Sequence, residues 1–258
     1  MDFKNATPMN KLQYANEWSK NSSGFEKRNF YTWMASSLPS ATRALEIGCG
    51  AGFSTLEIAK KVPKVICVEV NEHLASKAEE YLTNHGVSTS VVKSVNGKYQ
   101  ETSSRVDIFI LNLFDVAKFQ VFQQASFDVL ICWFIGSDPY TIANGFNLKV
   151  EDLEPSHMAS YRNKVHKDVY DAGGQLLING GSVSIIDRGL VPFEVNIDDV
   201  KNYLLDLHLD VSSGNYNRGK AEIKFIDTEF KSSQLQYVAE QSNPQGNKVL
   251  NSVVMIKR

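Results

Sequence analysis

Residues 43–61 read RALEIGCGAGFSTLEIAKK, and how this stretch is read decides the fold. A short apolar run, 43–47, leads into glycines at every second position, Gly48, Gly50 and Gly52. A segment with helically spaced apolar residues follows. Glycine serves a loop in two ways: it accepts positive φ, and its missing side chain lets a ligand touch the backbone. The helix that follows offers free N–H groups and a positive dipole end. In an open parallel sheet, ligands bind beyond the carboxyl ends of the strands. A ligand-free turn needs one glycine; three in alternation predict a nucleotide-like ligand lying against bare backbone.

The same alternation extends outward. KVICVEV (64–70) reads as a second strand, and NEHLASKAEEYLTNHG (71–86) as a helix with Asn71 as N-cap and Gly86 as its stop. Further strands are expected at 106–111, 127–135 and 173–180, with a helix at 197–209. Residues 221–230 and 248–258 are expected to form a closing antiparallel pair. Near-continuous apolar strands between amphipathic helices imply a parallel sheet covered on both faces. The fold class expected is α/β: a doubly wound, mostly parallel seven-stranded sheet with one antiparallel strand near the C-terminus and helices on both faces. Residues 1–40 are polar and aromatic and predict an N-terminal helical cap. Residues 41–258 then form the core of a single domain spanning 1–258. Two segments, 87–105 and 141–172, break the alternation and read as irregular insertions. The third strand is either 106–111 or lies within 87–95, and NLFD after 111 favours the former as a strand followed by a binding loop.

Composition bounds the function. A net charge of −2 gives no basic excess to attract nucleic acid. No apolar run is long enough to span a bilayer, and the first residues lack the pattern of a secretory leader. Cys49, Cys67 and Cys132 stand in or beside expected strands without metal-ligand spacing, which predicts reduced thiols in a cytoplasmic protein. The five histidines form no HxxxH or HExxH pattern, so no metal is expected.

The dinucleotide fingerprint GxGxxG/A requires a small third residue for close helix–strand packing. Here that position is Phe53, and the spacing is GxGxG. This argues against a nicotinamide oxidoreductase. Glu46 precedes the first glycine by two residues. Glu69 ends the second strand, where a carboxylate can accept two hydrogen bonds from a ribose diol.

LEIGCGAGFSTLEIA followed by VICVEVNEHLASKA resembles the class I S-adenosylmethionine-dependent methyltransferases. The resemblance is carried by residues 43–80, with FDVLICW and DAGGQLLING similar to the family's fourth and fifth strands. It implies S-adenosylmethionine as the cofactor. Gly48, Cys49, Gly50 and Gly52 would line its methionine and ribose parts, and Glu46 would help hold the ammonium. Glu69 would take the ribose hydroxyls, with Val70 against adenine. The family's adenine-binding Asp after the third strand is absent; Asn112 with Leu113, or Asp115, stands in its place. Trp133, beside Cys132, would sit under the methyl-donor end.

Methyl transfer requires an acceptor held in line and shielded from water. If the acceptor carries a proton, a base helps. The candidates are Asp138, Tyr140 and His157, with Tyr161 and His166 in the same segment. SDPY (137–140) differs from the [DNS]PP[YFW] motif of amino-methylating nucleic-acid enzymes: it has one proline and comes several residues late. It reads as a turn. The function expected is methyl transfer to a small-molecule or metabolite acceptor. The alternatives are a methyltransferase acting on protein or nucleic acid, or a cofactor-binding regulatory protein without turnover.

Overall fold

The computed structural model describes residues 10–92, 99–112, 121–134, 139–226 and 246–258. Among them, eight strands share one sheet. They are β1 Arg43–Ile47, β2 Lys64–Glu69, β3 Thr89–Val92, β4 Val106–Ile110, β5 Phe127–Trp133, β6 Leu177–Val191, β7 Tyr216–Phe225 and β8 Asn247–Lys257. Their spatial order is β3-β4-β2-β1-β5-β6-β8-β7. The first six in that order are parallel, and β8 runs antiparallel to both β6 and β7. The strand order reverses between β1 and β5, so their carboxyl ends flank the crevice where such sheets bind ligands.

Alternation along the strands builds two cores. Ala44, Val65, Cys67, Val129 and Ile131 face α1 Lys11–Glu26, α2 Phe30–Ser36, α3 Phe53–Ala59 and α4 Glu72–Asn84. Leu45, Ile47, Ile66, Leu130 and Val183 face the other way, toward α6 Pro155–Leu176 and α7 Ile197–Val211. Both faces are buried, which is why the strands read as unbroken apolar runs. Local signals set the helix starts. Asn10 and Gln13 form a capping box on α1, Asn71 accepts from His73 N–H on α4, and Asn196 accepts from Asp198 N–H on α7. The aromatic stripe at 25–35 is core: Phe25, Phe30, Tyr31 and Met34 are all buried.

Three expectations need correction. The sheet has eight strands instead of seven, because both candidates for the third strand are strands. Val106–Ile110 pairs with β2, and Thr89–Val92 adds a half-buried edge strand beyond it. The segment 141–172 is not irregular: it holds α5 Pro139–Gly145, a 3₁₀ turn at Val150–Asp152, and most of α6. The strand expected at 173–180 starts only at Leu177, because α6 runs through Gly173 and Gly174. A Cβ on Gly173 would lie 2.5 Å from Tyr216 Oη, so this glycine admits the neighbouring strand and does not break the helix.

Candidate functional site

The turn after β1 takes left-handed backbone at each alternate residue: φ is +74° at Gly48, +55° at Gly50 and +86° at Gly52. A residue with a Cβ loses about 1–2 kcal/mol at each such position, so the sequence spacing is the conformational repeat of the loop. Gly48 N–H donates to Val68 C=O at 2.8 Å, and Gly52 N–H to Cys49 C=O at 3.0 Å. Gly52 also permits close helix packing, since a Cβ there would lie 2.9 Å from Ala78 Cα on α4. Phe53 fits because it enters an aromatic column, with ring centroids 6.2 Å from Tyr31 and 4.2 Å from Tyr81.

The two acids do different work. Glu46 is fully buried, and its oxygens accept from Ser54 Oγ at 2.5 Å and Thr55 Oγ1 at 2.6 Å in the first turn of α3. Burial raises its pKa, against the pull of those two hydroxyls and of Cys67. Glu46 therefore ties the loop to the helix that follows. Glu69 accepts from Gly50 N–H at 3.0 Å and from Asn71 N–H at 2.9 Å. Burial raises its pKa too, opposed by those backbone donors. Its carboxylate thus lies on the glycine loop with only backbone partners. Beside it Val70 is 59% exposed, an apolar surface open to solvent, and Asn112 is exposed at the tip of β4. Leu113 and Asp115 lie outside the described residues.

A narrow cavity opens beside the loop, lined by Trp18, Tyr31, Gly48, Cys49, Trp133 and Phe134 among others. Trp133 is buried, and its indole N–H donates to Ser184 Oγ at 3.1 Å. Phe134, the first residue past β5, has φ +55°, a strained conformation for a residue with a Cβ. The expectation of bare backbone fails at Gly50, which is buried: a Cβ there would lie 2.6 Å from Trp18 Nε1. Helix α1 brings Trp18 over the loop, and Asn71 Nδ2 donates to Lys11 C=O at 2.9 Å from the same helix. Trp18 also lines the cavity. Nothing near Trp18 in sequence signals its role, because the contact joins α1 to a loop formed much later in the chain.

The thiols are free and buried, and burial pushes Cys67 and Cys132 well above the ordinary value. Among the described residues, no group of His, Cys, Asp and Glu could hold a metal ion, and no helix is long and apolar enough to cross a membrane.

The proton-accepting candidates scatter. Asp138 lies outside the described residues, and Tyr140 is described only as backbone within α5. His157 closes the start of α6: its Nδ1 accepts from Glu154 N–H at 3.0 Å. Tyr161 is half-buried between two apolar clusters. His166 is buried, with Nε2 at 2.8 Å from Asp187 Oδ2 just past the end of β5–β6 pairing. That is an ion-pair distance, yet no donor points squarely at the oxygen, so Oδ2 keeps acceptor capacity. Burial alone would raise the Asp187 pKa; His166, with help from Arg162 and His208, holds it below the usual carboxylate range. His208 stacks on His166 at 5.3 Å, and burial drives its pKa down to about 3. Asp187 and Arg188 escaped the sequence reading. Their one signal is SIIDRGLV, where an apolar run is interrupted by two opposite charges within what is β6.

Residues 44–130 match the family model described as a methyltransferase domain. No curated protein matches the chain. Among solved structures, the fold is similar to the N-methyltransferase NodS from Bradyrhizobium japonicum WM9 in complex with S-adenosyl-L-homocysteine. That comparison has a TM-score of 0.50 at 11% identity and covers 96% of this chain and 99% of that one. A putative sarcosine dimethylglycine methyltransferase from Galdieria sulphuraria aligns at a TM-score of 0.46 and 12% identity, over 93% and 86% of the two chains. Magnesium protoporphyrin IX methyltransferase from Synechocystis PCC 6803 aligns at 0.44 and 9%, over 99% and 88%.

Proposed function

We propose that this chain, whose residues 44–130 belong to the methyltransferase-domain family and whose sheet has the class I S-adenosylmethionine-dependent fold, transfers a methyl group to a small-molecule acceptor. The observation that carries this is the pairing of the left-handed Gly48–Gly52 loop with the Glu69 carboxylate, which accepts Gly50 N–H. When bound, S-adenosylmethionine supplies an electrophilic methyl on sulfur. The residues fit such a molecule: Glu69 for vicinal hydroxyls, exposed Val70 for the base, and the cavity beside Gly48 and Cys49 for the tail. Glu46 fixes the loop through Ser54 and Thr55 and touches the ligand only indirectly. Trp133 and Phe134 line the cavity at the tip of β5, where an acceptor must be shielded from water.

A cavity roofed by α1 and α2 supports a small acceptor over a polymer, and the net charge of −2 agrees. For proton transfer His157 is a poor candidate, since its Nδ1 already serves as a helix cap, and so is His166, which pairs with Asp187 among α6 and α7 on the face of the sheet away from the cavity. Asp138 and Tyr140, which follow β5 in the chain, stand as the candidates. A cofactor-binding protein without turnover is the second reading, favoured by Trp18 over Gly50.

Calorimetry with S-adenosylhomocysteine tests the site. Glu69→Ala should weaken binding by about 1–3 kcal/mol, as expected for lost charge-assisted hydrogen bonds; unchanged affinity removes Glu69 from the site. A metabolite-pool assay with methyl-labelled cofactor separates turnover from binding alone. In that assay Asp138→Asn should slow transfer while leaving the calorimetric affinity intact.

A further inference from the structure

The two halves of α1 are held in different ways. The C-terminal end is anchored in the main core: the Phe25 ring lies 5.4 Å from that of Phe30 and 5.2 Å from that of Phe134, centroid to centroid, and Glu26 accepts from Tyr81 Oη. The N-terminal half rests on a small satellite cluster, Ala15 with Ala51 and Leu74. The bond from Asn71 Nδ2 to Lys11 C=O ties down its first turn. Between the halves runs Asn21-Ser22-Ser23-Gly24, four weak helix formers in a row. Gly/Ser pairs are where helices bend.

Trp18 belongs to the loosely held half, and its indole lies on the glycine loop. A Cβ built on Gly50 would come within 2.6 Å of Trp18 Nε1 and 3.1 Å of its Cδ1, so the ring fills the space that the missing side chain leaves. Tyr14, one turn earlier, stacks parallel to it, with 6° between the planes and 6.4 Å between the centroids. Trp18 is also a wall of the cavity beside Gly48 and Cys49, which has room for about one water molecule. A nucleoside with an amino-acid tail can lie along Gly48–Gly52 only after the indole leaves. The apolar surface that holds the indole there is small, so opening is cheap beside the binding of a ligand of that size.

We propose that the N-terminal half of α1 is a displaceable cover of the cofactor loop, latched by Trp18 over Gly50 and hinged at Asn21–Gly24. The cofactor competes with the protein's own indole and binds the open state, so its apparent affinity is lowered by the open fraction. The inference rests on the methyltransferase reading for the identity of the ligand; the latch is a property of the free chain.

Calorimetry, stopped-flow association and hydrogen exchange on the full chain test this, with S-adenosylhomocysteine as the probe. Trp18→Ala removes the latch and should tighten binding and speed association, each about tenfold. In wild type, saturating probe should speed amide exchange over 11–20 and leave 30–36 unchanged. Weaker binding by the variant, or slower exchange over 11–20 on binding, overturns the proposal, because the indole then closes on the ligand instead of giving way to it. A variant that binds as wild type does overturns it too. A measurement without ligand separates the latch from the reading it rests on. In the free chain, Trp18→Ala should speed exchange over 11–20 about tenfold and leave 30–36 unchanged. If neither protein binds the probe, the methyltransferase reading fails and this comparison decides alone: faster exchange upholds the latch, and equal exchange removes it. Should Trp18→Ala not fold, Trp18→Leu carries the same readouts, because it keeps an apolar side chain on α1 and lacks the ring that reaches Gly50.

Discussion

Gly50 shows how one residue carries two demands at once. Its φ of +55° disfavours any side chain, and the indole of Trp18 fills the place where a Cβ would go. Gly86 has φ +76° but no neighbour within 4 Å of a built Cβ. Gly86→Ala should therefore cost only the backbone strain, about 1–2 kcal/mol. Gly50→Ala should cost that plus the displacement of Trp18. In a Trp18→Ala background the excess should vanish, giving a coupling of about 1 kcal/mol in urea melts. No coupling would mean that the indole does not rest on the loop in solution. The left-handed glycines were legible in the sequence, because φ is a local property and glycine marks it. Trp18 was not, since its partner is set by how α1 docks.

At the scale of elements, α6 is the instructive case. Two adjacent glycines near its C-terminal end fall where the sequence pattern predicts a strand to begin, at 173, yet the helix continues to Leu176. Gly173 lies against Tyr216, whose hydroxyl donates to Tyr170 C=O at 2.8 Å, while Gly174 faces solvent with nothing within 4 Å of a built Cβ. The same substitution should then have opposite signs at neighbouring positions. Gly174→Ala gains helix propensity and should stabilise by about 0.5–1 kcal/mol. Gly173→Ala gains the same propensity but must push Tyr216 off its partner, and should destabilise by about 1–3 kcal/mol. Thermal and urea unfolding of the two variants checks the pair; equal shifts would show that the β7 contact is slack. The edge strand β3 makes the same point from the other side. Its four residues are half-buried, so their alternation carries little apolar contrast for a reader of sequence.

The molecule as a whole should respond to acid through His208. Its folded pKa is depressed to about 3 by burial and by neighbouring His166, while the unfolded chain takes up the proton near 6.5. Between those values the unfolded state holds more protons, so stability falls as pH drops through that window, by at most about 1.4 kcal/mol per pH unit. The depressed Asp187 adds its loss only at the acid end, as pH falls through its folded value. Glu46 and Glu69, both raised, run the other way: their contribution fades as pH rises through their folded values. Comparing His208→Asn with wild type isolates the histidine. The variant's unfolding free energy should be flatter between pH 4 and 6 by about 1 kcal/mol per unit. Parallel curves would mean that His208 titrates normally in the fold.

The sequence by itself determined what depends on local backbone and on periodicity. It contained the parallel strands, the left-handed loop after the first, the acid at the tip of the second, and the antiparallel closing strand. Each of these is encoded by residues adjacent in the chain. Only the tertiary structure decided which side chains meet. Trp18 on Gly50, Asp187 beside His166, and Arg188 between Phe25 and Phe134 all join residues far apart in sequence. The physical reason is that burial and charge compensation belong to the packed neighbourhood, and no single stretch of chain specifies its neighbours.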